Sequence, residues 1–281
     1  MEWKVYSESL DFADKVEPYL YAEEEKNSLF IGVLGQIKTG RYEDYFLATV
    51  EDEGELVAAC LMTPPYPLEL LIFKQIPDIE KFIVGQLVDS EVEVNGVGGE
   101  QETAYVFADA WVAQTGDSVK VRMNQGLLRI DSLNKGWEKS EGTWKVASKK
   151  EASLLEQWFM DFHRETGLPL YTAAENKRKI ENFIEEKEIY VWEVDGEVVS
   201  SMKKSRPSRH GISISFVYTP EEHRGKGYAK TLVAEVTEEL LLEFDFVLLY
   251  TDLQNPASNK IYQEIGYEEI ANPVELLFEK K

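Results

Sequence analysis

Apolar and polar residues alternate along Ile212-Ser213-Ile214-Ser215-Phe216-Val217, which predicts a strand buried on one face. Pro220 stops it, because proline has no amide to give to a strand ladder. Past Pro220 the period changes. Leu232, Val233, Val236 and Leu240 recur at helical spacing, so a helix is predicted from about Tyr228. Leu248-Leu249-Tyr250-Thr251 reads as a further strand, and Asn255-Pro256 as an N-cap with proline at the first helical position. Gly266 suits the end of that second helix.

The pattern upstream suggests one layout used twice. Ile189-Tyr190-Val191-Trp192-Glu193-Val194, Asp195-Gly196 and Val198-Val199-Ser200-Ser201-Met202 read as a hairpin, with a turn pair that tolerates positive φ. Tyr45-Phe46-Leu47-Ala48-Thr49-Val50, Gly54 and Leu56-Val57-Ala58-Ala59-Cys60-Leu61 read the same way. A helical stretch precedes each hairpin; in the later copy Leu154, Leu155, Trp158, Phe159 and Phe162 share one face. Gly96-Val97-Gly98-Gly99-Glu100 before the helical stretch 103–112 is expected to stand where the later copy has a glycine loop. It has no arginine, and Glu100 and Glu102 would meet a diphosphate with carboxylates. The earlier copy is therefore expected to be degenerate, although a chance likeness of two α/β segments fits the same pattern. The polar stretch 134–142 is the expected linker. That places domains at 1–140 and 141–281, in an α/β (α+β) chain whose two mixed sheets are flanked by helices.

The chain of 281 residues is long enough for two cores, and its 43% apolar fraction is that of a folded protein. A net charge of −22 argues against nucleic acid, whose phosphates are held by Lys and Arg. It would steer cationic substrates such as amines, or it only keeps the protein soluble. The lone Cys60 cannot close an internal disulfide and lies in an apolar run, as a core thiol would. The start Met1-Glu2-Trp3-Lys4 lacks a signal-peptide pattern, and no stretch has the ~20 apolar residues of a membrane span. A cytoplasmic protein that does not enter membranes is expected. His163, His210 and His223 stand apart, so no metal is expected.

Between strand and helix lies Arg224-Gly225-Lys226-Gly227-Tyr228-Ala229. A helix start carries unpaired amides and roughly +0.5 charge, the glycines let a ligand approach, and Arg224 and Lys226 add charge. These are the parts of a diphosphate cradle; read alone, a glycine turn joining strand to helix fits too. Dinucleotide and nucleotide loops do not fit the spacing. Lys230 stands where the third glycine or alanine of the first should be, and Arg224 and Ala229 where the second needs glycines.

Arg224-x-x-Gly227-x-Ala229 after a strand resembles the R/Q-x-x-G-x-G/A loop of the GNAT superfamily of acyl-CoA-dependent N-acetyltransferases. Asn255-Pro256-x-Ser258-Asn259-x-x-Tyr262 followed by Gly266-Tyr267 is similar to a second segment of that family. The resemblance implies acetyl-CoA as co-substrate. Backbone groups of Val217, Tyr218 and Thr219 would hold the pantetheine arm. Amides of Gly225, Lys226, Gly227, Tyr228 and Ala229, with Arg224, would hold the diphosphate. Asn255 and Ser258 would also touch coenzyme A, and Tyr262 would protonate the leaving thiolate. Capping alone accounts for Asn255, Pro256 and Gly266, and a packed core aromatic is the other reading of Tyr262. The implied reaction is direct acetyl transfer to a primary amine, on a small molecule or a peptide. A non-catalytic acyl-CoA sensor is the alternative, because the strand before the loop offers Ser213 and Ser215 where many family members carry a glutamate base.

Overall fold

Short alternating strands and amphipathic helices follow one another through the chain. The computed structural model describes residues 1–90 and 92–280. The first half runs β1 (Glu2–Val5), α1 (Ser9–Leu20), α2 (Ser28–Lys38), β2 (Phe46–Asp52), β3 (Glu55–Met62), β4 (Leu68–Ile72), α3 (Ile79–Asp89), β5 (Gly96–Glu100), α4 (Gln101–Thr115) and β6 (Ser118–Ile130). The second runs β7 (Thr143–Val146), α5 (Ala152–Thr166), α6 (Ala173–Glu185), β8 (Ile189–Val194), β9 (Glu197–Ser205), β10 (Gly211–Tyr218), α7 (Tyr228–Leu240), β11 (Phe246–Asp252), α8 (Pro256–Ile265), β12 (Glu268–Ala271) and β13 (Pro273–Glu279). The order of strands and helices from β1 to α4 recurs from β7 to α8.

Two compact units result, one of residues 1–127, 252–254 and 270–281, the other of 128–251 and 255–269. They divide ahead of the expected boundary near 140. The polar stretch 134–142 is irregular but fastened within the second unit: the Trp192 indole donates to the Glu141 carbonyl at 2.9 Å, and the Asn134 amide donates to the Ile265 carbonyl at 2.8 Å.

In the first unit the strands lie in the order β1-β2-β3-β4-β5-β13-β6. β4 and β5 pair in parallel, and β13 is antiparallel to both neighbours. Helices α1 and α2 bury Phe12, Val16, Leu20 and Leu34 with Leu47 and Leu61 in one cluster, while α3 and α4 build another with Ile83, Phe107 and Val97. The partly buried pair of Arg122 and Glu275 joins β6 to β13 by two side-chain bonds. Cys60 is fully buried among the apolar residues of β3.

Gly96–Glu100 is a strand, correcting the expected loop. Its glycines serve close strand approach. A Cβ on Gly96 would lie 2.2 Å from the Leu276 carbonyl oxygen, and one on Gly98 2.8 Å from a Glu69 carboxylate oxygen. By element order, the counterpart of the later glycine loop is the segment 73–78 before α3.

In the second unit the order is β11-β10-β9-β8-β7, with only β10 and β11 parallel. Helices α5 and α6 cover one cluster with Val191, Phe216 and Tyr218, and α7 and α8 share another with Trp192, Ile214 and Leu249. Among the described residues no helix is long and apolar enough to cross a membrane.

Candidate functional site

The parallel ladder between β10 and β11 runs from Gly211 opposite Phe246 to Ile214 opposite Leu249, and among the described residues no later pair forms. A bulge follows in β10 between Ser215 and Tyr218, where Phe216 has φ 50°. A bulky residue there is strained, and a bulge bends and re-aims the strand. Buried aromatic packing holds it, with the Phe216 ring edge-on to Phe159 at 5.0 Å and to Phe162 at 5.6 Å. The backbone from Ser215 through Val217 to Tyr218 is thereby left without a ladder partner on the β11 side. That opens a split between two parallel strands, lined by amides and carbonyls.

Past the split, Thr219 and Tyr218 are anchored by Ser200. Its hydroxyl donates to the Tyr218 carbonyl at 3.1 Å and lies 2.9 Å from Thr219 Oγ1. The chain then makes one short turn over Glu221–His223 and enters Arg224-Gly225-Lys226-Gly227. Gly225 and Gly227 have φ of 78° and 79°, a region few other residues occupy without cost. Gly227 is the N-cap of α7, and no side chain caps this end. The first amides of α7, at Tyr228 and Ala229, are therefore left by the helix itself for an anion.

Arg224 is bonded within the protein. Its Nε donates to the Thr219 carbonyl at 2.8 Å, and its Nη2 reaches both oxygens of Glu165 at 3.0 and 2.7 Å. The Tyr218 hydroxyl donates to the same carboxylate at 3.3 Å. Burial, and then the negative charge of Glu165, push the Tyr218 phenol up to about 12. On the other side of the loop, the Ser140 hydroxyl donates to the Lys226 carbonyl at 2.9 Å. Lys226 itself lies 5.9 Å from the centre of the Tyr228 ring. Glu165, Ser140 and Ser200 carry no motif of their own, so only the folded chain brings them to the loop.

In α8, Asn255 Oδ1 accepts from the Ser258 amide at 3.2 Å, so the asparagine caps the helix start. Tyr262, 7% exposed, belongs to the apolar cluster that contains Ile214 and Leu249, the last pair before the strands part. Its ring meets Tyr267 at 5.9 Å, and the Tyr267 hydroxyl is in turn held by Thr237 at 2.7 Å. The Tyr262 hydroxyl has no hydrogen-bond partner among the described residues. Burial pushes it up to about 12, so at neutral pH it is a protonated donor.

No carboxylate stands on β10. Ser213 is 1% exposed with a hydroxyl that has no partner among the described residues, and the Ser215 hydroxyl lies 3.3 Å from the Ser205 hydroxyl. Among the described residues no group of three or more His, Cys, Asp or Glu side chains is placed to hold a metal ion. The counterpart at α3 in the first unit lacks glycine, and Glu80 in the first turn of that helix is buried, accepting from the Gln75 amide at 3.0 Å.

Solved structures of the same architecture are numerous. A GCN5-related N-acetyltransferase from Sphaerobacter thermophilus is similar over 99% of this chain and 96% of its own, with a TM-score of 0.68 and 14% identity. An acetyltransferase of the GNAT family from Colwellia psychrerythraea is similar over the whole of both chains, at 0.60 and 15%. A tandem GNAT protein from the clavulanic acid biosynthesis pathway is similar over 100% of this chain and 99% of its own, at 0.61 and 12%. The chain has the GNAT fold, built in tandem. Residues 195–275, which hold the split strand, the glycine loop and Tyr262, match the family model described as FR47-like protein. No curated protein matches the chain.

Proposed function

We propose that the second unit is an acyl-CoA-dependent N-acetyltransferase. The observation that carries this reading is the parting of β10 and β11 after Ile214 and Leu249, beside an uncapped, glycine-fronted helix start. Coenzyme A fits that shape. The freed backbone of Val217, Tyr218 and Thr219 would take the pantetheine amides, and the amides from Gly225 to Ala229 the diphosphate. Asn255 and Ser258, at the start of α8, would touch the coenzyme beside them.

Acetyl-CoA supplies the activated acyl carbon. The amine nitrogen attacks that carbon, the carbon–sulfur bond breaks, and Tyr262 gives its phenolic proton to the leaving sulfur; the proton shed by the new amide nitrogen then passes through water and restores the phenol. An amide of the split strand near Val217 would stabilise the charge that develops on the acyl oxygen. The amine must arrive neutral, which at pH 7 costs an alkylamine of pKa ~10.4 about 4–5 kcal/mol. With serines on β10 in place of a carboxylate, the partnerless Ser213 hydroxyl favours a route for that proton through water. The acceptor is a primary amine, and the net charge of −22 favours a cationic one. The first unit, with Glu80 buried at the corresponding helix start, binds no coenzyme A.

The test is thiol release from acetyl-CoA with a panel of amines, followed by mass spectrometry of the product. Amine-dependent release that Tyr262→Phe abolishes supports the enzyme. The missing carboxylate on β10 favours a second reading, an acyl-CoA sensor. Tight acetyl-CoA binding with no release to any acceptor would select it, and no coenzyme A binding at all would reject both.

A further inference from the structure

Glu165 lies in the last turn of α5, outside every motif of the proposed site, yet it touches that site at two points. Its carboxylate is bonded by Arg224 Nη2 through both oxygens and by the Tyr218 hydroxyl. Tyr218 ends the split strand and Arg224 begins the glycine loop, so a single carboxylate ties together the two segments that would flank the coenzyme's pantetheine and diphosphate. Arg224 Nε, held on the Thr219 carbonyl, closes the same ring of contacts. An arginine held through Nε and Nη2 by two partners is restricted in position, and so is the start of the loop that follows it.

We infer that Glu165 is a positioning residue for coenzyme A: it sets the distance between the end of β10 and the diphosphate loop and keeps Arg224 off the phosphates. The inference rests on the acetyltransferase reading of the second unit. It has a consequence that reading lacks. The backbone amides from Gly225 to Ala229, with Lys226, would carry the diphosphate, and Arg224 would shape the loop that presents them. The polar contacts of Glu165 are with Tyr218 and Arg224, both in segments assigned to the coenzyme, so its loss should act on coenzyme binding alone. Both partners are about half exposed, 49% for Glu165 and 46% for Arg224, so the effect is that of a solvent-facing pair and not of a buried one.

The experiment is calorimetric titration of the full chain with acetyl-CoA, paired with steady-state kinetics, for the parent protein, Glu165→Gln and Glu165→Asp. The expected result for Glu165→Gln is a rise of about three- to fivefold in the acetyl-CoA dissociation constant and KM, the upper part of what an exposed ion pair supports. The value of kcat and the acceptor KM should stay within about twofold of the parent. Glu165→Asp keeps the charge and should recover most of the affinity. Unchanged or tighter acetyl-CoA binding by Glu165→Gln overturns the inference and leaves the acetyltransferase reading standing, as does a loss confined to kcat. A parent protein that binds no acetyl-CoA overturns that reading and the inference with it.

Discussion

The Ser140 hydroxyl oxygen lies 2.7 Å from the place a Cβ on Gly227 would occupy. Gly225, two residues earlier in the same loop, has open space at that place and nearly the same φ. The two glycines therefore separate backbone strain from steric clash.

Alanine at Gly225 should cost only the positive-φ penalty, about 1 kcal/mol. Alanine at Gly227 adds displacement of Ser140 and should cost about 2–3 kcal/mol. Chemical denaturation of the two variants measures the difference. Titration with acetyl-CoA should show Gly227→Ala to be the weaker binder, because Ser140 also holds the Lys226 carbonyl.

Removing the Tyr262 hydroxyl takes away no hydrogen bond among the described residues. Tyr262→Phe should therefore leave the thermal midpoint nearly unchanged while lowering kcat about 10²- to 10⁴-fold, the usual weight of a general acid. A drop in activity matched by a drop in stability would assign the residue to packing.

His163 is buried against Phe159, and its Nδ1 lies 2.7 Å from the Pro169 carbonyl oxygen. Burial holds its pKa below the ordinary value, with the Pro169 contact opposing the shift. The unfolded chain takes up this proton near pH 6.5 and the folded chain only at lower pH. The stability contributed by the neutral ring is thus complete above about pH 6.5 and is lost as pH falls through the folded value. Thermal midpoints between pH 7.5 and 5.5 should fall for the parent protein and fall less for His163→Gln.

Cys60 is fully buried, and burial pushes its thiol well above the usual range. A thiol reagent should leave the native protein unlabelled at neutral pH and modify one equivalent after denaturation. Labelling of the native state at the rate of a free thiol would contradict the placement of β3.

What local chemistry decides was legible in the chain. Asp195 and Gly196 take φ of 50° and 84° in the turn, and Asn255 caps α8. The glycine loop before α7 could be placed because strand period, proline and helix period meet there. Gly96, Gly98 and Gly99 misled because glycine ordinarily weakens a strand, whereas here partners remote in sequence, such as Leu276, press on its backbone. The contacts of Glu165 and Ser140 were illegible for the same reason. Each is an unremarkable polar residue until folding sets it beside a loop far along the chain.

The place of β13 between β5 and β6 bears on how the protein is made. As the chain leaves the ribosome, the first unit's sheet has a gap until residues 273–279 arrive, after the whole second unit has been synthesised. Two strand edges stay unpaired through that interval, with Arg122 lacking its carboxylate partner. The half that begins first is completed last. A chain stopped before β13 would present the cell with an open sheet edge, a form prone to aggregate, even where the second unit had already folded.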